Sequence, residues 1–195
     1  MADPQKRRIT DLGTLKALAH PLRSQLYRAL IMARTATASQ LAEQADEAVS
    51  LVSYHLRKLA EHGLIEAAES QRTDGRERWW QPASDGVDIH EADFRDAPEK
   101  AAAHQAATRL FHEQRTEAYR RYLNERATWG SEWSNASTDS ESLMRLTAGE
   151  LTELTDELLG VLKKYEEKGR TAEAAGDSHG RENVALHVFG FPFRA

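Results

Sequence analysis

The sequence predicts a mainly helical protein with a small β-hairpin in its first half. Three observations lead to this fold class. Apolar residues recur at helical spacing between residues 37 and 65, two short strand-like runs flank an Asp-Gly pair between residues 64 and 82, and two long amphipathic stretches occupy residues 96–169. We therefore expect a compact first domain, residues 1–85, followed by a helical second domain, residues 86–195.

The first element of interest is a pair of helices joined by a short turn. Thr37 and Gln40 have the spacing of a capping box, which predicts a helix through SQLAEQA. Asp46 and Glu47 follow as the turn, because Asp tolerates left-handed backbone conformations. A second helix then begins near Ser50. Two helices joined by so short a turn form a helix-turn-helix arrangement.

The second of these helices has two different faces. At about 100° per residue, Val52, Leu56 and Leu59 share one stripe, which predicts the face that packs on the core. The remaining face is polar and cationic, and its residues are Ser50, Ser53, Tyr54, Arg57 and Lys58. His55 lies at the edge of the stripe, and we expect it to be partly buried and to bond backbone or a phosphate.

This polar face suits the major groove of DNA, which admits an α-helix and in which Arg reaches guanine and Ser meets several bases. A merely solvated helix face is the alternative, although the flanking helix and hairpin favour DNA binding. Ala48 stands where a hydroxyl cap is common. Ser50 is therefore an alternative cap, in which case it leaves the base-reading set.

A β-hairpin is predicted after this helix. LIEAAE and RERWWQP flank Asp74-Gly75, a pair that tolerates the positive φ of a tight turn. Alternation along the second strand predicts that one of Trp79 and Trp80 faces the core. Three arginines surround the hairpin tip, and we expect them to contact DNA: Arg72, Arg76 and Arg78.

In order, spacing and residue type, the segment from Leu15 to Gln81 resembles the ArsR-type winged-helix transcriptional regulators. LKALAHPLRSQLYRAL resembles the family's opening helices and VSYHLRKL its recognition helix. The resemblance implies a homodimeric bacterial repressor or activator whose hold on operator DNA changes when an effector binds. It also implies base or phosphate contacts for the outward residues of the recognition helix, a backbone contact from Arg76 and a phosphate contact from Arg23.

The histidines and the absence of cysteine bear on metal binding. With zero Cys, a thiolate metal site, a disulfide and a cysteine nucleophile are all excluded. A second metal pattern of the family, Asp-x-His with a distant His pair, is only partly matched by Asp88-x-His90 with His104 and His112, because the spacing differs. We expect solvated histidines, with no metal and no cofactor.

Two other classes of function are weighed against DNA binding. The sequence has no glycine-rich phosphate loop, nucleophile elbow or HExxH motif, so we predict no catalytic residues and no enzyme. A winged helix that binds protein instead of DNA is the alternative, since the fold alone does not guarantee DNA binding. The outward Tyr54 and Arg57 argue against it, because a protein-docking face is more often apolar at its centre.

The charge is unevenly distributed. The net charge is −5, but residues 1–82 hold 12 Lys+Arg and 10 Asp+Glu, whereas residues 83–195 hold 14 and 21. Local field rather than net charge governs phosphate contact, so the acidic excess of the second half does not oppose DNA binding. Residues 1–10 have Lys6, Arg7 and Arg8 and no signal-peptide pattern, and no stretch spans a bilayer. We expect a cytoplasmic protein. Its basic tail is expected either to be disordered or to reach an adjacent minor groove.

A long helix is predicted from about Asp96 to Ala127. Aromatic residues accompany it, and they are expected either to line an apolar effector pocket or to fill core and interface: Phe94, Phe111, Tyr119, Tyr122, Trp129 and Trp133. The sequence does not name the effector.

A second capping box, Thr147 and Glu150, opens the last predicted helix, and Gly169 is its expected stop. Apolar residues recur along it at heptad spacing: Leu151, Leu154, Leu158, Val161 and Tyr165. We expect this stripe to form a homodimer interface, because a dimer places two recognition helices about one DNA turn apart, as a palindrome requires. Packing within one protomer is the alternative. A strand is predicted from Val184 to Phe189, and it needs a partner strand.

Overall fold

The computed structural model describes residues 6–68 and 77–194. The chain divides into two compact units, residues 2–121 and residues 122–195. Helices dominate both, and the sheets are small, as the sequence predicted. Among the described residues no helix is both long and apolar enough to cross a bilayer.

The first unit opens with strand β1 (Arg7–Arg8), helix α1 (Leu12–Leu18) and helix α2 (Pro21–Ala33). The next elements are β2 (Ala36–Thr37), α3 (Ala38–Ala45), α4 (Val49–Glu61), β3 (Ile65–Ala67), β4 (Trp79–Pro82) and β5 (Val87–Asp88). A 3-10 turn at Glu91–Asp93 then leads to the long helix α5 (Pro98–Glu125).

Two small sheets brace these helices. Strands β2, β4 and β3 form an antiparallel sheet in that order, with Ala36 opposite Trp80 and Ile65 opposite Pro82. Strand β1 pairs in parallel with β5, so that Arg7 lies opposite Val87. The expectation of a disordered basic tail is therefore wrong for Arg7 and Arg8, because the backbone of both residues belongs to a ladder.

The turn between α3 and α4 forms as the sequence predicted. The Thr37 hydroxyl accepts a bond from the Gln40 amide at 3.3 Å, and the Gln40 side chain accepts one from the Thr37 amide at 2.9 Å. Asp46 is left-handed, with φ 52° and ψ 48°. The Glu47 amide bonds the Ala42 carbonyl at 3.0 Å, a Schellman closure that satisfies the end of α3.

The core of the first unit extends beyond the winged helix. Val52, Leu56 and Leu59 of α4 are fully buried, and Trp80 is buried while Trp79 is half-buried, as strand alternation predicted. Phe94 is also 0 % exposed and belongs to the same cluster. Residues beyond 85 therefore complete this core, whereas the sequence had placed a domain boundary there.

The second unit contains a 3-10 turn (Arg126–Trp129) and helices α6 (Gly130–Ala136) and α7 (Ala148–Ala174). The predicted capping box opens α7: the Thr147 hydroxyl accepts from the Glu150 amide at 3.2 Å. The prediction that Gly169 ends the helix is wrong, since α7 continues to Ala174. One interior glycine costs about 1 kcal/mol relative to alanine, which is too little to stop an otherwise favourable helix.

The strand predicted from Val184 to Phe189 is not formed. These residues have no regular secondary structure and no ladder partner among the residues that the structure describes. Val184 and Leu186 are 68 % and 56 % exposed. The prediction was wrong because apolar alternation favours a strand only where a neighbouring strand supplies the hydrogen bonds.

Candidate nucleic-acid interface

Burial of one face of α4 fixes which residues its other face presents. Val52, Leu56 and Leu59 are each 0 % exposed, so the helix cannot rotate about its axis without losing these contacts. The opposite face carries Tyr54, 47 % exposed, and Arg57, which is also exposed. Ser53 is half-buried beside them. The outward face that the sequence predicted is therefore the outward face of the folded helix.

The first turn of α4 settles the position of Ser50. Ala48 is the N-cap residue, with φ −66° and ψ 135°, and it makes no side-chain capping bond. Ser50 lies inside the helix and is exposed, so the alternative in which it caps α4 is wrong. Val49 and Leu51 beside it are 47 % and 39 % exposed. The helical periodicity of α4 did not single out these two apolar side chains, which are of a type that can contact thymine methyl groups.

The two cations of α4 differ in how they are engaged. Arg57 donates from Nε to the Ser53 carbonyl at 3.2 Å, which uses one of five guanidinium donors. Lys58 donates to Glu61 at 2.7 Å, and this bond raises the pKa of Lys58 and lowers the pKa of Glu61. The Lys58 ammonium also lies 5.9 Å from the Tyr54 ring centroid. Arg57 is therefore the less neutralised of the two.

His55 lies beneath this surface instead of on it. His55 is 6 % exposed, and its ring centroid is 4.6 Å from that of His20 and 5.1 Å from that of Tyr54. The buried Nδ1 atoms of His20 and His55 have no hydrogen-bond partner among the described residues. Burial, together with the nearby Arg23, lowers the pKa of both histidines. His55 therefore packs largely beneath the outward face of α4, and its predicted DNA contact stays a prediction.

Arg23 has a structural task at the end of α1. Its Nε donates to the Ala17 carbonyl at 2.6 Å and its Nη2 to the Lys16 carbonyl at 3.1 Å. A cation at a helix C-terminus interacts favourably with the exposed carbonyl groups there. The sequence had pointed to a phosphate contact, and no residue spacing in the sequence revealed this capping role.

A groove of about 440 Å³ opens between the start of α3, the outward face of α4 and the start of β4. It is lined by Ala38, Ser39, Val49, Ser53, Arg57, Glu77, Arg78 and Trp80. Ser39 donates to the Glu77 carboxylate at 2.6 Å, and the Arg78 guanidinium lies 5.3 Å from the Trp80 ring centroid. Arg57 and Arg78, predicted from different elements, therefore border one groove. Arg72, Arg76 and the Asp74-Gly75 turn lie outside the described residues.

The histidines beyond α4 that the sequence pointed to as possible metal ligands have separate partners. No group of three or more His, Asp or Glu side chains that could hold a metal ion occurs within residues 6–68 and 77–194. His90 contacts Asp88 at 2.7 Å, whereas the His104 ring stacks on Phe94 at a centroid distance of 5.6 Å. Phe94 and Phe111 pack in the core of the first unit. Of the two roles expected for the aromatic residues, an effector pocket or core filling, these two have the second.

The apolar stripe of α7 is largely uncovered. Leu151 and Leu154 are half-buried, and the remaining residues are more exposed: Leu158 at 41 %, Val161 at 55 % and Tyr165 at 62 %. The described residues thus leave Leu158, Val161 and Tyr165 of the predicted dimer stripe partly exposed.

A family model described as a helix-turn-helix domain matches residues 18–67, from the last residue of α1 to the last residue of β3. The match includes α2, α3 and all of α4, so the predicted recognition helix lies within it. No curated protein matches the chain.

Several solved structures are similar to parts of the chain. A transcriptional regulator homologue from Pyrococcus horikoshii OT3 is 17 % identical, with a TM-score of 0.32, over 53 % of this chain and 85 % of its own. The adhesin competence repressor AdcR from Streptococcus pyogenes is 16 % identical (TM-score 0.31; 76 % and 81 % covered). The zinc-responsive MarR family member ZitR from Lactococcus lactis is 20 % identical (TM-score 0.30; 75 % and 74 % covered). These TM-scores are too low to bear on function.

Proposed function

We propose that this protein is a sequence-specific DNA-binding transcriptional regulator of the ArsR type, with α4 as the recognition helix. The observation that carries the proposal is the two-sided environment of α4. Its apolar face is fully buried, while Tyr54 and Arg57 stand outward on a helix of the size that the major groove admits. The helix-turn-helix match over residues 18–67 supports the same conclusion.

In this proposal Arg57 reads a base edge and the wing holds the phosphate backbone. Arg57 borders the groove together with Arg78, so a duplex strand lying there would meet two guanidinium groups. Ser50, Ser53 and Val49 surround the same region and offer hydroxyl and methyl contacts. Arg72 and Arg76 remain proposed backbone contacts from the resemblance.

The active form in this proposal is a cytoplasmic homodimer that binds a palindromic operator. The uncovered stripe on α7 supports a second copy of the chain as its occupant, because a palindrome is read by two recognition helices about one DNA turn apart. An effector, if it regulates this dimer, binds without thiolate ligands of this chain, since the sequence has no cysteine.

One observation favours a second function, a winged helix that docks on protein. Leu51 and Tyr54, three residues apart on α4, are neighbouring exposed side chains with apolar surface, and protein interfaces are enriched in aromatic residues. The two functions differ in salt dependence, because only phosphate contact releases condensed counterions from DNA.

The test is fluorescence anisotropy of the full chain with duplexes from its own upstream region, at two salt concentrations. We expect tight binding to one palindrome, with a Kd on the order of 10⁻⁸ M or below and a steep salt dependence. Arg57→Ala should relax preference at one base position by about 1–3 kcal/mol. Arg109→Ala, which removes an exposed cation of α5, serves as the charge-matched control. Equal binding to all duplexes by the parent would reject the proposal.

A further inference from the structure

Arg7, near the start of the first unit in sequence, binds the C-terminal end of α4. Gly63, left-handed at φ 62°, closes the helix: its amide bonds the Ala60 carbonyl at 2.8 Å, and the Leu64 amide bonds the Leu59 carbonyl at 3.1 Å. This Schellman closure leaves the His62 and Gly63 carbonyls pointing outward. Arg7 Nη1 donates to both, at 2.7 Å and 2.6 Å.

Arg7 is itself fixed by the strand that carries it. Its amide bonds the Gly86 carbonyl at 2.9 Å, and the Ile9 amide bonds the Asp88 carbonyl at 2.9 Å. The Ile9 side chain is 0 % exposed, which anchors the end of β1 in the core. The guanidinium that caps α4 is therefore attached to a short but paired strand.

Arg7 lies close to the Cα of Gly63, so that a side chain at this position would crowd its guanidinium group. A Cβ added to Gly63 would lie 3.1 Å from Arg7 Nη1, tighter than ordinary van der Waals contact. The cation and the two carbonyls thus occupy a defined position at the helix end, where positive charge is also favoured by the helix dipole.

We propose that Arg7 is a positioning residue for DNA recognition: it fixes the C-terminal end of α4 against the β1–β5 ladder, and thereby sets how α4 enters the groove. This inference rests on the proposed function. It also assigns the basic segment before α1 a different role from an arm that reaches into the minor groove, because the Arg7 side chain already bonds protein carbonyls.

Arg8 supplies a matched control. It is the neighbouring residue and carries the same charge, but its guanidinium donates to the Asp93 carboxylate, at 2.7 Å and 2.9 Å, instead of to the end of α4. Arg7→Gln and Arg8→Gln therefore remove equal charge, and any effect on non-specific DNA affinity should be the same for both.

The experiment measures binding of the full chain to its palindrome and to a scrambled duplex of equal length, with amide hydrogen exchange on the same variants. We expect Arg7→Gln to weaken palindrome binding about tenfold, the scale of one charge-assisted hydrogen bond, and to leave scrambled-duplex binding equal to that of Arg8→Gln. The rate of amide hydrogen exchange should rise at residues 60–64 in Arg7→Gln and not in Arg8→Gln. Arg7→Lys, which retains one donor to these carbonyls, should recover part of both effects.

The outcomes separate the two proposals. If the parent distinguishes the duplexes but Arg7→Gln and Arg8→Gln behave alike on both, Arg7 does not position α4. A salt slope reduced by about one in Arg7→Gln would instead make it a phosphate contact and would also reject the inference. A parent that does not distinguish the duplexes overturns the proposed function, and the positioning role with it. If Arg7→Gln is partly unfolded at the assay temperature, the comparison is made between Arg7→Lys and Arg8→Lys, which both keep the charge.

Discussion

The two units of this chain bury their apolar residues very differently. In the first, leucines of four helices converge with Ile65, Trp80 and Phe94 in one cluster, and most of these side chains are below 2 % exposed. In the second, large apolar side chains along α7 and in the tail stay exposed, Phe191 and Val184 reaching 69 % and 68 %. The first unit satisfies its apolar pattern within one chain, and the described part of the second does not.

This difference shows that a regular apolar pattern has two meanings. On α4 the stripe of Val52, Leu56 and Leu59 matches a core that other parts of the same unit complete. On α7 an equally regular stripe is only partly covered, which is the pattern expected of a face that another molecule covers.

The largest effect should come from paired leucine truncations, one in each unit. Leu59→Ala removes a side chain that is 0 % exposed, so we expect it to lower the free energy of unfolding by about 2–5 kcal/mol. Leu159→Ala alters a residue that is 51 % exposed, and it should change that free energy by about 0.5 kcal/mol or less. Urea unfolding followed by circular dichroism measures both. A comparable loss in the two variants would mean that the second unit is as well covered as the first.

A second prediction concerns the stripe of α7. Replacing Leu158 and Val161 together by Glu places two charges on the proposed interface, so the chain should sediment as a monomer. Affinity for the palindrome should then fall by about 100-fold, because the two half-sites are no longer bound together. Leu159→Glu, one position off the stripe, is the control and should remain a dimer. If the double variant sediments like the parent, α7 is not the interface.

The third and smallest effect is a pH dependence from the contacting histidines His20 and His55, of which His55 is buried. Burial and Arg23 lower the pKa of His20 and His55 in the folded protein, while Glu47 opposes this shift at His55. Because the unfolded chain binds these protons more readily, the stability contribution is complete above about pH 6.5 and is lost as the pH falls through that value toward the lower folded pKa. The Tyr54 ring also lies beside His55, at a centroid distance of 5.1 Å.

Urea unfolding between pH 8 and pH 5.5 measures this dependence. His55→Phe, which keeps an aromatic ring without a titratable group, should flatten the decline relative to the parent. An identical pH profile for parent and His55→Phe would show that the histidine pair does not contribute.

Local signals in the sequence predicted local structure well. The two capping boxes and the left-handed Asp46 formed as expected, because each depends on residues within one or two turns of the chain. The outward face of α4 followed from periodicity alone. The same reasoning failed for Gly169 and for residues 184–189, where the outcome depended on the rest of the helix or on a partner strand.

Contacts between distant residues were not predictable. Arg7 donates to the carbonyls of His62 and Gly63, which lie 55 and 56 positions further along the chain. Arg7 belongs to a strand of only two residues, which is too short to show any periodicity. Arg23 was assigned to phosphate by resemblance, whereas its carbonyl partners depend on how α1 and α2 meet. His55 sits at the margin of an apolar stripe, so periodicity left its burial open, and its contact with His20 decided it.

The inclusion of Phe94 and Ala107 in the core of the first unit has a consequence for protein engineering. A chimaera that joins the helix-turn-helix of this chain to a foreign partner at residue 85 would leave two apolar cavities where these side chains belong. A graft that carries residues up to 121 keeps them. The portable module is therefore longer than the matched helix-turn-helix segment, and transplantation experiments should include residues up to 121.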